Sequence, residues 1–236
     1  MEPGLSARNP RVQAAARLHR ADERRRTGLT LLEGPHLVNE AVAAGLPLLE
    51  IFALDTDSSF SDRIPLSQAA LERLSSTQAP QSPVAVMAIP QHSLDPGRSV
   101  LVAWETSDPG NLGAMIRTAA AFNLDVAVLG GTDAWSPKTL RGAAGAHFRT
   151  SVVEVEDLDE IEAVRVATVV QDGSPPSALP GGRLALLIGS ESHGLPHEAI
   201  TSADVSVSIP MPGRTESLNA AAAAAILCYE ISNRRG

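Results

Sequence analysis

The sequence predicts an α/β protein of two domains: a C-terminal domain built on a parallel sheet flanked by helices, and a smaller N-terminal α/β domain. Strand-like and helix-like segments alternate along the chain, the pattern of strands joined by crossover helices. Several strand-like runs, "VLVAW", "DVAVL" and "LALLI", are apolar without interruption, as strands covered on both faces must be. Between the halves, "PQHSLDPGRS" at 90–99 has the Pro, Gly and Ser content of a boundary loop. The expected organisation is a domain over 1–90, a linker over 91–98 and a second domain over 99–236, within what 236 residues allow.

Each element has a local reason. Asn9 and Pro10 supply an N-cap and a first-turn proline, and the Ala and apolar positions beyond them predict a helix to about Arg26. "LTLLEG" reads as a strand, "PHLVNEAVAAG" as a helix stopped by Gly45, and "PLLEIFAL" as a strand. "SQAALERLSS" reads as a helix capped by Ser67, followed by the strand "PVAVMAI". In the second half "VLVAWET" and "DVAVLG" are strands, while "NLGAMIRTAAAF" and "SPKTLRGAAG" are helices. "SVVEV", "VATVV" and "LALLIG" are strands, and "VSVSIP" leads to an Ala-rich terminal helix.

Composition excludes several classes of function. The chain is 44% hydrophobic and 19% charged, which is globular rather than disordered. Its start lacks the apolar stretch of a signal peptide, and no run approaches the ~20 residues of a membrane span. The single cysteine, Cys228, sits in the apolar terminal helix, so it reads as a structural thiol in a reducing compartment. Six His and one Cys offer no metal-ligand spacing, so no metal is expected. Net charge is −8, yet residues 1–28 carry seven Arg against three acids. A basic arm on an acidic body suits a protein whose phosphate contacts are concentrated at one end, though an Arg-rich helix is also a common solvated face, and Arg8, Arg11, Arg24, Arg25 and Arg26 are the candidate contacts to a nucleic acid, RNA or DNA.

Parallel sheets bind ligands outside the carboxyl ends of their strands, which directs attention to three loops. In "TSDPGNLGAMIRTAAAFN", Asn111 opens a helix on which Gly113 and Arg117 share a face, leaving room beside the guanidinium. In "LLIGSESHGLP", Gly189 and Gly194 permit close backbone approach to a ligand, and Glu191 lies between them. The pattern G-x-E-x-x-G is not the dinucleotide fingerprint, since a carboxylate would repel a pyrophosphate. His193 reads as a solvated loop residue. In "IPMPGRTESLN", a Pro and Gly bend places Arg214, Glu216, Ser217 and Asn219 just before the apolar helix, where Ser217 and Asn219 can cap it or face a ligand.

Taken together the loops resemble the three signature motifs of the SpoU, or TrmH-like, branch of the SPOUT methyltransferases. N-x-G-x-x-x-R-T-A is matched by Asn111, Gly113, Arg117, Thr118 and Ala119, and G-x-E-x-x-G by Gly189, Glu191 and Gly194. I-P-M-x-G-x-x-x-S-L-N is matched by Ile209, Pro210, Met211, Gly213, Ser217, Leu218 and Asn219. "SPKTLRGAAGAHF" is similar to the family's segment between the first two motifs, and residues 8 to about 90 are similar to its N-terminal L30e-like substrate-binding domain. Asn123 stands where the family usually has Gly, and Ala220 and Ala221 stand where Val-Ser is common.

The resemblance implies a SPOUT domain with a deep trefoil knot, S-adenosylmethionine as cofactor and a cytoplasmic homodimer with each site completed across the interface. It implies methyl transfer to a ribose 2′-hydroxyl of RNA, most simply ribosomal 23S RNA. A transfer-RNA 2′-O-methyltransferase and a non-catalytic RNA-binding or ribosome-assembly protein are the alternatives. Gly189, Ile209, Met211 and Leu218 would contact the cofactor. Arg117, Asn111, Glu191, Ser217 and Asn219 would form the catalytic group, with Arg117 stabilising alkoxide charge as the hydroxyl loses its proton.

Overall fold

A computed structural model describes residues 4–213 and 215–234 of the protein, so Arg214 of the third loop lies outside the described residues. The chain runs through α1 (Pro10–Arg17), α2 (Ala21–Thr27), β1 (Leu29–Glu33), α3 (Pro35–Ala43), β2 (Leu48–Leu54), β3 (Ile64–Leu66), α4 (Gln68–Leu74) and β4 (Val84–Ala88). It continues through β5 (Val100–Trp104), α5 (Pro109–Ala121), β6 (Asp125–Leu129), α6 (Pro137–Ala143), β7 (Val152–Glu154) and β8 (Val164–Thr168). β9 (Leu184–Ile188), α7 (His197–Thr201), β10 (Val205–Val207) and α8 (Ala220–Asn233) complete it. Two compact units result: Met1–Gln91 with Trp135–Phe148, and His92–Ala134 with Arg149–Gly236.

The first unit holds a four-stranded sheet in the order β1-β4-β2-β3, antiparallel except between β2 and β3. Val12, Leu18, Leu31, Phe52 and Leu71 meet in its core. As the sequence indicates, Asn9 accepts the Arg11 amide at the start of α1, and Ser67 accepts the Ala70 amide at the start of α4. The predicted helix to Arg26 is instead two helices, because the chain turns at Leu18 and is extended at Arg20. Leu18 enters the core, and the Arg24 guanidinium turns back to donate to the Leu18 carbonyl at 2.6 Å, an acceptor of the kind a helix end exposes.

Trp135–Phe148, though it follows β6 in sequence, packs within this first unit. Thr30 donates to the Trp135 carbonyl at 2.7 Å, and Leu140 and Ala143 of α6 are buried. Arg141 lies 3.0 Å from Glu33, whose side chain is only 4% exposed. Glu33 also accepts from the Ser75 and Ser76 hydroxyls and the Ser76 amide. A carboxylate so buried is costly unless its charge and lone pairs are met, and these groups meet them.

The second unit is built on six parallel strands in the order β10-β8-β9-β5-β6-β7. The apolar runs are central: every residue of β9 is buried, as are Val100–Ala103 of β5. Helices α5 and α8 pack on one another, with Phe122 edge-on to Tyr229 at 6.0 Å between ring centres. Cys228 is buried in α8, and burial pushes its thiol up to about 12, in keeping with a structural role.

One histidine gives this unit a pH dependence. The Val152 amide donates to His92 Nδ1 at 3.0 Å, which needs the lone pair of an unprotonated nitrogen. Partial burial holds His92 below the usual histidine value, with Asp125 opposing. Below about 6.5 the unfolded chain takes up a proton that the folded ring resists, so stability is full above that pH and falls as the pH drops through it. The gap in thermal midpoint between wild type and His92→Gln should narrow from pH 7.5 to pH 5.5; a gap independent of pH would exclude this coupling.

Candidate functional site

Strand order explains how distant segments of the second unit become neighbours. β10, β8, β9 and β5 are adjacent, and their ends are level: Thr168 pairs with Val207, Ala167 with Leu187, and Ile188 with Ala103. The loops leaving these four strands therefore share one edge of the sheet, where parallel sheets bind ligands. A cavity of about 480 Å³ opens there, within the usual span of small-molecule sites.

Three loops wall the cavity. From β8 come Thr168, Val169 and Val170; from β9, Gly189, Ser190, Glu191, Ser192, His193 and Gly194; from the segment after β10, Ile209, Met211, Ser217, Leu218 and Asn219. Ala220 and Ala223 of α8 close it, so the small side chains of that helix lie against the ligand space as well as the core. Gly189 packs against the backbone of Gly194 and Leu195 so closely that a Cβ would collide with both residues. The loop is pinched shut by the Gly194 amide donating to Ser190 at 2.9 Å, and Gly194 takes φ +66, which glycine tolerates without strain.

A line of hydrogen bonds joins the β9 and post-β10 loops to the segment that follows β5. Asn219 Oδ1 accepts from the Ala221 and Ala222 amides, capping α8, while its Nδ2 donates to Asn111 Oδ1 at 3.0 Å. Asn111 Nδ2 donates to Glu191 Oε1 at 2.6 Å, and Ser107 donates to Glu191 Oε2 at 3.3 Å. Asp108, the N-cap of α5, accepts the Asn111 amide at 2.8 Å and so fixes where Asn111 begins. The Glu191 carboxylate is thus held by neutral donors rather than by an arginine. No lysine or arginine is among the described residues lining the cavity, which leaves its interior favourable to a cation.

Of the residues singled out from sequence, Gly189, Glu191, Ile209, Met211, Ser217, Leu218 and Asn219 line the cavity, and Asn111 is bonded to two of them. Arg117 does not line it: the side chain is exposed on α5 and makes no hydrogen bond or ion pair among the described residues. Gly113 is buried, so the space expected beside Arg117 is filled by packing. Ser107, Thr168, Val169 and Val170 were not anticipated. "VATVV" reads as a strand to Val170, but β8 ends at Thr168, which frees the next two residues to face the cavity.

The basic arm is less basic than its composition. Arg24 is 3% exposed and serves the fold, which removes it from any RNA surface. Arg11 pairs with Glu50 at 2.8 Å, Arg26 with Glu23 at 2.7 Å and Arg20 with Asp22 at 2.6 Å. Arg8 and Arg25 are exposed and unpaired among the described residues. Surface ion pairs contribute little, about 0–1 kcal/mol, so Arg11 and Arg26 remain able to exchange their partners for phosphates. Among the described residues no helix is long and apolar enough to cross a membrane, and no group of three His, Cys, Asp or Glu could hold a metal ion.

Residues 98–229 match the SpoU rRNA Methylase family, and residues 9–85 match the MRM3-like substrate binding domain. The chain is 39% identical to the 23S rRNA (guanosine(2553)-2′-O)-methyltransferase RlmP of Bacillus subtilis, over 96% of this chain and 97% of that one. It is 31% identical to the 23S rRNA (uridine(2479)-2′-O)-methyltransferase of Streptomyces viridochromogenes, over 98% and 92%. Among solved structures, the SpoU methyltransferase AviRb of Streptomyces viridochromogenes in complex with AdoMet superimposes with a TM-score of 0.86 at 27% identity, covering 97% of this chain and 98% of that one.

Proposed function

The chain belongs to the SpoU rRNA methylase family, and from that premise we propose that it methylates a ribose 2′-hydroxyl of 23S ribosomal RNA, using S-adenosylmethionine, as a cytoplasmic homodimer. The observation that carries the reading is the hydrogen-bonded line Asn219–Asn111–Glu191–Ser107 at the cavity, which ties all three motif loops into one site.

Three features of the cavity fit this donor. The close packing of Gly189 on the Gly194–Leu195 backbone holds the 189–194 loop in the shape that walls the cavity. Thr168 Oγ1 is buried without a hydrogen-bond partner among the described residues, a polar group that a nucleoside can satisfy. Glu191 would supply negative charge toward a sulfonium, and Leu218 and Met211 would supply apolar surface for the rest. When bound, S-adenosylmethionine supplies an electrophilic methyl group.

The remaining chemistry falls to this chain's own side chains. A ribose hydroxyl is a weak nucleophile at neutral pH, so it must be oriented and must pass its proton to water as it takes up the methyl group. Asn111 and Asn219 fix Glu191 and one another, and Ser217 is free at the cavity to hold the ribose or its phosphate. Arg117 stabilises the developing alkoxide. Arginine keeps its proton at neutral pH, so its part is electrostatic.

Because Arg117 stands outside its own cavity, it reaches a site through a second copy. α8 presents Ala222, Ile226 and Tyr229 on one exposed face, with Ile226 41% and Tyr229 54% exposed, beside the α5 helix that bears Arg117. A symmetric pairing over this face covers that apolar surface and offers Arg117 of the partner subunit to the cavity. We also read the β9 and post-β10 loops as the trefoil knot, a reading supported by the strand order β10-β8-β9-β5. RNA contact is assigned to the first unit, through Arg8, Arg25 and the exchangeable Arg11 and Arg26.

Mapping 2′-O-methyl positions in total RNA from cells with and without the gene tests the assignment. A single 23S position lost with the gene and restored by purified protein with S-adenosylmethionine is the expected result. Loss at a transfer RNA position instead, or at none, would overturn it.

A further inference from the structure

The other end of α8 makes contacts that the reaction as described does not use. Arg234, its C-cap, donates from Nη1 to the Leu179 carbonyl and from Nη2 to the Pro176 carbonyl at 2.9 Å, and its Nε lies 3.5 Å from Glu230. Both carbonyls belong to the connection between β8 and β9, the one that starts with the cavity residues Val169 and Val170. Pro175, Pro176 and Pro180 stiffen one part of this connection, while Gly181 and Gly182 stand in open space and leave it a pivot.

The connection is tied at two further places, the nearer to the cavity being the Val169 amide, which donates to the Val207 carbonyl at 2.9 Å. Ser174 bonds through its amide to the Ser206 carbonyl at 2.9 Å and through its carbonyl to the Ser208 amide at 3.0 Å. The Ser208 hydroxyl donates to the Gly173 carbonyl at 3.1 Å. Ser208 directly precedes Ile209, which also lines the cavity. One helix is therefore capped at the cavity by Asn219 and ends on the connection whose first residues, Val169 and Val170, line the same cavity.

We propose that Arg234 is a positioning residue for the methyl donor: its guanidinium clamps the 176–179 turn and, together with the Val169 and Ser174 backbone bonds to the β10 segment, keeps the connection that begins with the cavity residues Val169 and Val170 in its ligand-binding position. This rests on the cofactor reading above. Guanidinium donors aimed at two carbonyls fix direction as well as distance, which a single ammonium cannot reproduce. Without the clamp the connection samples other positions, and binding must supply the cost of ordering it. The chemical step, assigned to Arg117, Asn111, Glu191 and Ser217, is untouched.

The test measures S-adenosylmethionine binding by calorimetry, methyl-transfer kinetics and amide exchange on the full chain. Arg234→Ala should raise Kd and KM for S-adenosylmethionine about tenfold, a loss of about 1.4 kcal/mol, with kcat within about twofold of wild type. Amides 171–179 should exchange faster, and Arg234→Lys should recover part of the affinity. A folded Arg234→Ala protein with wild-type Kd, or with reduced kcat at unchanged KM, overturns the clamp. Should Arg234→Ala fail to fold, Arg234→Lys decides by the same measurements: a raised Kd at unchanged kcat supports the clamp, and wild-type binding removes it. Wild-type protein that binds no S-adenosylmethionine refutes the cofactor reading itself, which separates the two failures.

Discussion

Arg117→Lys should leave S-adenosylmethionine affinity nearly unchanged and cut methyl transfer by about 10²–10³-fold, the usual loss when one donor to a developing oxyanion is removed. The first half of this expectation comes from geometry: Arg117 is exposed on α5 and absent from the cavity lining, so the donor's contacts survive its replacement. The second half comes from chemistry. Lysine keeps the charge but replaces a planar fork of donors by a compact, strongly hydrated ammonium. Single-turnover rates with RNA, beside calorimetry with S-adenosylmethionine, separate the two halves. Unchanged turnover would remove Arg117 from the mechanism, and lost cofactor binding would place it in the wrong role.

Gly189→Ala should do the reverse, weakening donor binding before chemistry is reached. A Cβ at this position meets the Gly194 carbonyl carbon and the Leu195 nitrogen, both backbone atoms with no rotamer to relieve the clash. Overpacking of this kind costs about 1–3 kcal/mol. Here it displaces the 189–194 loop, which carries Glu191 and forms a wall of the cavity. The expected loss in S-adenosylmethionine affinity is about ten- to a hundredfold or more. A folded Gly189→Ala protein with wild-type affinity would mean that the pinch at Gly194 is incidental to binding.

Strands announce themselves when they are buried on both faces. "LALLI" and "VLVAW" are legible as central parallel strands because no polar residue interrupts them, and the structure places both there. The polar site is legible for a related reason: Asn111, Glu191 and Asn219 follow the ends of three strands, and helix capping accounts for Asn219 alone. Their meeting, across 80 and 108 residues, depends on strand order, which periodicity does not encode.

What sequence patterning misses is mostly long-range pairing of charge. Seven arginines in 28 residues read as a basic arm, but Glu50 lies 39 residues from Arg11 and neutralises it in space. Arg24 looks like its neighbours Arg25 and Arg26, yet a break in the helix at Leu18 exposes a carbonyl that captures it. Likewise α6 follows β6 in the chain while its Arg141 answers the buried Glu33, and no local pattern distinguishes an arginine that meets a buried acid from one that faces water.

Co-expression of two differently tagged chains, one carrying Arg117→Ala and the other Gly189→Ala, tests the central claim most directly. If a cavity of one subunit works with the guanidinium of the other, the mixed dimer assembles one intact site from the two undamaged halves. Both pure variants should then be inactive, while the purified mixed dimer regains about half the wild-type methyl transfer per dimer. A mixed dimer that forms but stays as inactive as its parents would contradict the account.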